Sequence, residues 1–106
     1  MLPMDRVKTF LESVLEENLH FKPHFYDRIS ERPITEELVR EYLKKTERIL
    51  NVEEQPAKNT HEEKYKLWIK LSNKYSLVLI IAICEKDLYI ITGWNTDRKW
   101  QKSIQK

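Results

Sequence analysis

Glycine and cysteine are almost absent from this chain, since Gly93 and Cys84 are the only examples among 106 residues. A single glycine excludes the glycine-rich loop that cradles nucleotide phosphates, and with it nucleotide hydrolysis of the P-loop type. A single cysteine excludes an internal disulfide and any zinc site built on several cysteines. Because Cys84 lies within an apolar run, we expect it to behave as a small hydrophobic residue.

Long hydrophobic runs are also lacking. The longest one, Leu77 to Cys84, is far short of the roughly 20 residues that a membrane helix needs. Charged residues between Asp5 and Glu12 are not typical of a secretory signal. The length, with 41% hydrophobic and 34% charged residues, indicates one ordered domain over residues 1–106. We therefore expect a cytoplasmic protein that does not contact membranes.

Charge of the two signs is distributed unevenly along the chain. Residues 1–62 carry 10 basic and 13 acidic side chains, whereas residues 63–106 carry 9 basic and 4 acidic ones. Residues 63–106, which end in a basic tail over residues 95–106, have the excess of positive charge that is typical of a polyanion-binding surface. Solubility alone would explain the same excess.

The spacing of apolar residues changes from a helical period to a strand period near residue 48. Three helices are predicted: residues 5–18 with Asp5 as the cap, a short one that begins at Pro23 and ends before Pro33, and one capped by Thr35. The strand pattern predicts about four antiparallel strands, at 48–53, 64–71, 77–84 and 88–94. The expected fold is α+β, with two or three N-terminal helices packed on one face of the sheet.

One predicted strand has an apolar face and a basic face. Its basic face carries Lys64, Lys66, Trp68 and Lys70. An aromatic ring among cations suits a nucleic-acid strand, which binds by base stacking and by phosphate charge. The alternative is an ordinary solvated strand face with one partly covered tryptophan.

A spacing of four residues places His24, Arg28 and Arg32 along one stripe of a helix, while Phe25 falls on a neighbouring face that can be buried. Metal-free RNA cleavage needs a base for the 2'-hydroxyl group and fixed positive charge for the phosphorane, and the stripe offers both. The alternative is that both arginines form ion pairs with nearby carboxylates on a solvated helix.

The stripe is followed by Ile34 and Thr35, which open the next helix, and by a strand that ends in Ile-Ile-Thr-Gly-Trp at residues 90–94. Over residues 20–94 this pattern resembles the small uncharacterised domains grouped with the RelE-like and BrnT-like toxins. Those domains share the fold of barnase, EndoU, colicin nucleases and RelE. Pro33 departs from the pattern, because such domains often have glycine at that position.

The resemblance implies a metal-independent endoribonuclease of a toxin–antitoxin system, acting on free or ribosome-bound RNA and held in check by an antitoxin protein. His24, Arg28, Arg32 and Thr92 match its catalytic signature, and Trp94 matches its terminal aromatic residue. No cofactor or metal is implied. The general acid is left open among Lys74, Tyr75 and Tyr89, which are named for their chemistry alone.

The sequence also supports other interpretations. His20 and His24 have the spacing of a helical metal pair, but Pro23 interrupts the helix and no third ligand is evident. His61 is expected to be an exposed loop residue. The whole chain could also be a binding module for RNA or protein without catalysis, or a structural subunit that forms a homodimer through an edge strand.

Overall fold

The computed structural model describes residues 2–29, 34–57 and 61–97. Its helices are α1 (Pro3–Ser13), α2 (Pro23–Ile29) and α3 (Glu36–Leu43). Its strands are β1 (Leu19–Phe21), β2 (Ile49–Gln55), β3 (Glu63–Lys70), β4 (Tyr75–Cys84) and β5 (Asp87–Asp97). Short 3₁₀ turns at Glu16–Asn18 and Thr46–Arg48 precede β1 and β2.

The strands form one sheet in the order β1-β5-β4-β3-β2. The β2–β3, β3–β4 and β4–β5 pairs are antiparallel, as expected for a meander, whereas β1 pairs parallel with β5. The α+β class is confirmed, but a sheet of about four antiparallel strands is wrong for the described residues, where five strands form a mixed sheet. In this part of the chain no helix is long and apolar enough to cross a membrane.

Buried side chains on alternate strand positions form the core on one face of the sheet. From β3 these are Tyr65, Leu67 and Ile69, as the alternating pattern predicted. Apolar residues of all three helices, among them Phe10, Phe25 and Val39, join the same cluster, so the helices cover this face. The remaining strand positions lie on the opposite face of the sheet.

The helix boundaries differ from the predicted ones at the N-terminus. Helix α1 begins at Pro3 after Leu2, without a side-chain cap, and Asp5 lies within its first turn. The helix ends at Ser13 rather than near residue 18, because Val14 adopts an extended backbone. Thr35 caps α3 as predicted, since its hydroxyl oxygen accepts a hydrogen bond from the backbone nitrogen of Leu38 at 3.1 Å.

A β-bulge in β5 changes which residues face the helices. Ile81 pairs with Ile90 but Ile80 pairs with Thr92, so Ile91 is an extra residue. Simple alternation would place Thr92 on the same face as Ile90. The bulge instead turns Thr92 to the face opposite the core.

The helix-facing position after the bulge is occupied by Gly93. A Cβ atom on this glycine would lie 2.6 Å from Leu79 Cδ2 and 3.7 Å from Phe25 Cε2. The missing side chain therefore makes room for the Leu79 side chain, whereas Phe25 of α2 would be met only at ordinary van der Waals distance.

A three-residue cluster ties α1 to the sheet. The Arg6 guanidinium donates to both carboxylate oxygens of Glu63, at 3.1 and 2.7 Å, and the Tyr65 hydroxyl donates to the same carboxylate at 2.6 Å. These hydrogen bonds, Arg6 first, lower the pKa of Glu63 below its ordinary range. Burial, followed by the bond to Glu63, raises the pKa of Tyr65 to about 12.

Candidate nucleic-acid interface

Lysine side chains line the sheet face that the helices leave uncovered, which we call the cationic face. On β3, Lys64, Lys66 and Lys70 alternate with the core residues of the same strand, so they project to this face. The predicted division of β3 into an apolar and a basic face is confirmed. All three lysines are half-buried, with their stems packed along the sheet.

Two indoles fill the centre of the cationic face. Trp68 pairs with Val78 across β3 and β4, and Val78 pairs with Trp94 across β4 and β5. The ammonium group of Lys66 lies 4.9 Å from the Trp68 ring centroid and 5.5 Å from that of Trp94. Both contacts are within cation–π range. The structure thus brings three of the five predicted RNA-binding residues into one cluster.

The two tryptophans differ in exposure. Trp68 is only 4% exposed, so its ring packs within the protein and helps to position Lys66. Trp94 is half-buried and keeps part of its ring at the surface. Of the two rings, Trp94 is therefore the one that a base can reach on this face without rearrangement of the sheet.

Thr92 lies on the same face because of the bulge. Its register partner is Ile80, whose other partner is Lys66, so the three residues form one row across β5, β4 and β3. Thr92 is 7% exposed, and its hydroxyl oxygen has no hydrogen-bond partner among the described residues. The Ser76 hydroxyl oxygen on β4, which is also fully buried, likewise has no partner among the described residues.

The β1 edge of the cationic face carries a cluster that the sequence did not predict as a site. The His20 ring stacks on Tyr89 with centroids 5.0 Å apart, and its Nε2 atom lies 3.1 Å from Asp87 Oδ1. The Lys22 ammonium group lies 4.8 Å from the Tyr89 ring centroid. In the sequence, Leu19, His20, Phe21 and Lys22 alternate between apolar and polar residues. This strand pattern is too short to predict a strand.

His24 lies in the first turn of α2, two residues after Lys22, and its side chain is exposed. The next residue, Phe25, is fully buried against the core and anchors the helix. The Tyr26 hydroxyl donates a hydrogen bond to the carboxylate of Glu36, which ties α2 to α3 and raises the pKa of Tyr26. The imidazole is thus held at the surface by a helix fixed on two sides.

Only a part of the predicted stripe lies within the described residues. Arg28 belongs to α2 by its backbone, but its side chain and the whole of Arg32 lie outside the described residues. The joint geometry of His24, Arg28 and Arg32 therefore stays a prediction.

Metal ligands do not cluster in the part of the chain that the structure describes. No group of three or more His, Cys, Asp and Glu side chains there is placed to hold a metal ion. His20 is oriented by Asp87 on the sheet, while His24 is on the following helix. His61 is exposed and precedes β3, as the sequence predicted.

Comparison with protein families shows what this chain is similar to. A family model described as a domain of unknown function, DUF4258, matches residues 21–93. The chain belongs to the DUF4258 family. The DUF4258 region runs from the end of β1 to Gly93, so it includes His24, Thr92 and the lysines of β3, whereas α1 lies outside it. Neither the curated proteins nor the solved structures give a significant match.

Proposed function

We propose that this protein binds RNA on the cationic face and cleaves it without a metal ion, as an endoribonuclease of the RelE-like toxin class. The observation that carries the proposal is the row of Lys64, Lys66 and Lys70 on the sheet face opposite the helices, where the Lys66 ammonium group also contacts two indoles. A row of ammonium groups attracts the phosphate groups of a nucleic-acid backbone.

Charge and aromatic surface around Thr92 support an RNA ligand over a small anion. Lys64, Lys66 and Lys70 extend along β3, and Lys22 lies at the β1 edge of the same face. A row of cations matches a polyanion backbone, and the exposed part of Trp94 offers a surface for stacking a base. Single-stranded RNA supplies both features, since its bases are free to leave the helix stack.

The cleavage chemistry is proposed from the resemblance together with the position of His24. In this scheme the exposed His24 imidazole takes the proton of the 2'-hydroxyl group, and the oxygen attacks the adjacent phosphorus atom. Arg28 and Arg32 stabilise the charge of the phosphorane. The products are a 2',3'-cyclic phosphate and a 5'-hydroxyl end, and the step consumes no water.

The experiment is cleavage of a labelled RNA by the purified protein in EDTA, with and without ribosomes, followed by mapping of the product ends. We expect cyclic phosphate ends from the wild type, and a rate lower by about 10²-fold or more for His24→Ala, the usual effect of losing a general base. Arg28→Ala should also lower the rate. His61→Ala, which removes an exposed histidine outside the proposed site, is the matched control.

Two outcomes would contradict the proposal in different ways. Equal cleavage by His24→Ala and wild type would remove His24 from the mechanism. RNA that is bound but never cleaved would favour the second candidate, a binding module without catalysis. That candidate is supported by the position of the lysine row on the sheet face opposite the helices, which does not depend on α2.

The proposed toxin class also predicts a protein partner. Expression of the chain should arrest growth, and an antitoxin encoded nearby should relieve the arrest. A dimer that is indifferent to RNA would instead favour a structural role, for which β2 offers an edge strand in the described sheet.

A further inference from the structure

His20 is held in a defined orientation at the β1 edge of the cationic face. Its Nε2 atom lies 3.1 Å from Asp87 Oδ1, and its ring stacks on Tyr89 at an interplanar angle of 27°. Both members of the pair remain accessible, with side-chain exposures of 43% for His20 and 32% for Asp87. When Nε2–H donates to the carboxylate, Nδ1 is the ring nitrogen left for another molecule.

The surroundings of His20 are those of a phosphate site. The Lys22 ammonium group also contacts Tyr89, at 4.8 Å from its ring centroid. Tyr89 pairs with Ala82, and Ala82 pairs with Lys64 on β3. Because Ala82 is small, the space between Tyr89 and Lys64 is bridged by no large side chain of β4. The oriented imidazole therefore lies at the β1 edge of the proposed RNA-binding face, with Lys22 two residues further along the chain and Lys64 at the other end of the same row across the sheet.

We propose that His20 is the general acid of the cleavage reaction and that Asp87 is its positioning residue. This inference rests on the proposed function, for which a base was named but no acid. As the 2'-oxygen forms its bond to phosphorus and His24 takes its proton, the bond from phosphorus to the 5'-oxygen breaks. Protonated His20 donates its Nδ1 proton to that departing oxygen, so the 5'-hydroxyl product leaves uncharged and no co-reactant is needed.

The chain itself limits how far apart the two histidines can be. His20 projects to the cationic face, whereas α2, which carries His24, packs on the opposite face, so one phosphate group reaches both histidines only around the β1 edge of the sheet. The two residues are four positions apart, so their Cα atoms are at most about 14 Å apart. The acids suggested by chemistry alone are placed less well. Tyr75 pairs with Asp97 at the far end of β5, and the Tyr89 ring is covered by His20 and Lys22.

The test compares two substrates that differ only in the leaving group. A dinucleoside monophosphate, such as uridylyl-3',5'-adenosine, releases an alkoxide that needs a proton. Uridine 3'-(4-nitrophenyl phosphate) releases a phenolate that needs none. We expect His20→Ala to slow cleavage of the dinucleotide by about 10²-fold or more, and to slow the aryl ester at least tenfold less. His24→Ala should slow both substrates alike.

Asp87→Asn tests the positioning role. It should change the ratio of the two rates in the same direction as His20→Ala but by a smaller factor, because the imidazole is kept and only its orientation is lost. His61→Ala is the matched control and should leave both rates unchanged. Lost structure would lower the cleavage rates of both substrates equally. Urea denaturation of each variant shows whether structure has been lost.

The outcomes separate this inference from the function on which it rests. If wild type cleaves both substrates and His20→Ala lowers neither, or both by one factor, His20 is not the acid and the proposed function stands. If wild type binds RNA but cleaves neither these two substrates nor the labelled RNA in the presence of ribosomes, the proposed catalysis fails, and the assignment of His20 fails with it.

Discussion

Thr92 lies on the cationic face, in one row with Lys66. The residue type of Thr92 is the one that the toxin-like signature implies, but its placement is set by the bulge at Ile91. Alternation along β5 would have turned Thr92 into the core, where a hydroxyl group has no use. Sequence alone could name this residue but not its face, because one inserted residue reverses the face of all that follow.

Replacement of Thr92 by valine separates a functional hydroxyl from a structural one. Valine has nearly the same shape as threonine, and it removes a hydroxyl group that lacks a hydrogen-bond partner among the described residues. We expect the free energy of unfolding in urea to be unchanged or higher by about 1 kcal/mol. The affinity for a short single-stranded RNA, measured by fluorescence anisotropy, should be unchanged, because the Thr92 oxygen has almost no exposed surface for a phosphate group to reach.

The control is Thr9→Val, the same change on the exposed surface of α1, which should leave affinity unchanged. A Thr92→Val protein that is less stable but binds RNA normally would show that the hydroxyl group serves the fold.

At the residue scale, the sequence predicted the chemical types of the candidate site residues better than it predicted their positions. The lysines of β3 and the exposed His24 were predicted, because alternation and a proline-started helix are local signals. Trp68 was predicted to face outward, and it does, but the Lys66 ammonium group lies over its ring and over that of Trp94. The contact of Lys66 with Trp94 joins residues 28 positions apart, so no local pattern contains it.

At the scale of elements, the long amphipathic segments were the predictable ones. Helices α2 and α3 begin where Pro23 and Thr35 indicated, and β3, β4 and β5 follow their apolar patterns. Strand β1 was missed because it has three residues and depends on parallel pairing with β5 for its hydrogen bonds. Its omission also hid the cluster around His20.

Helix α1 is attached to the sheet by a charge contact that a pH titration can follow. The Glu63 carboxylate accepts from Arg6 and Tyr65, and its pKa is lowered from an ordinary value of 4.5. A lowered pKa stabilises the folded protein fully above that ordinary value and progressively less as the pH falls below it.

Substitution Glu63→Gln should therefore lower the free energy of unfolding by about 1 kcal/mol at pH 7, a value reduced for partial solvent exposure of the pair. The difference from wild type should shrink as the pH falls below 4.5. Urea denaturation at several pH values measures it, with the exposed Glu47→Gln as the control. A difference that stays constant down to acid pH would contradict a role for the carboxylate charge.

At the scale of the whole molecule, the two faces of the sheet differ in composition. One face joins the helices in the core, and the other carries Lys22, Lys64, Lys66 and Lys70. The excess of basic residues after position 62 indicated a polyanion partner. The sequence could not show that Lys22, from the acidic half, lies on the same face, because that follows from the pairing of β1 with β5.

The central claim is that RNA binds this face, and the salt dependence of binding tests it most directly. Each phosphate neutralised on a single strand contributes a slope of about −0.7 to the plot of log affinity against log salt, so four lysines predict about −3. Substitution of Lys64, Lys66 and Lys70 by glutamine should reduce the slope to about −1. Glutamine at Lys8, Lys44 and Lys45 makes the same change of net charge on and beside the helices. A slope near −3 for this control, with the slope near −1 for the cationic-face variant, is the predicted result. Equal slopes for the two variants would contradict the account.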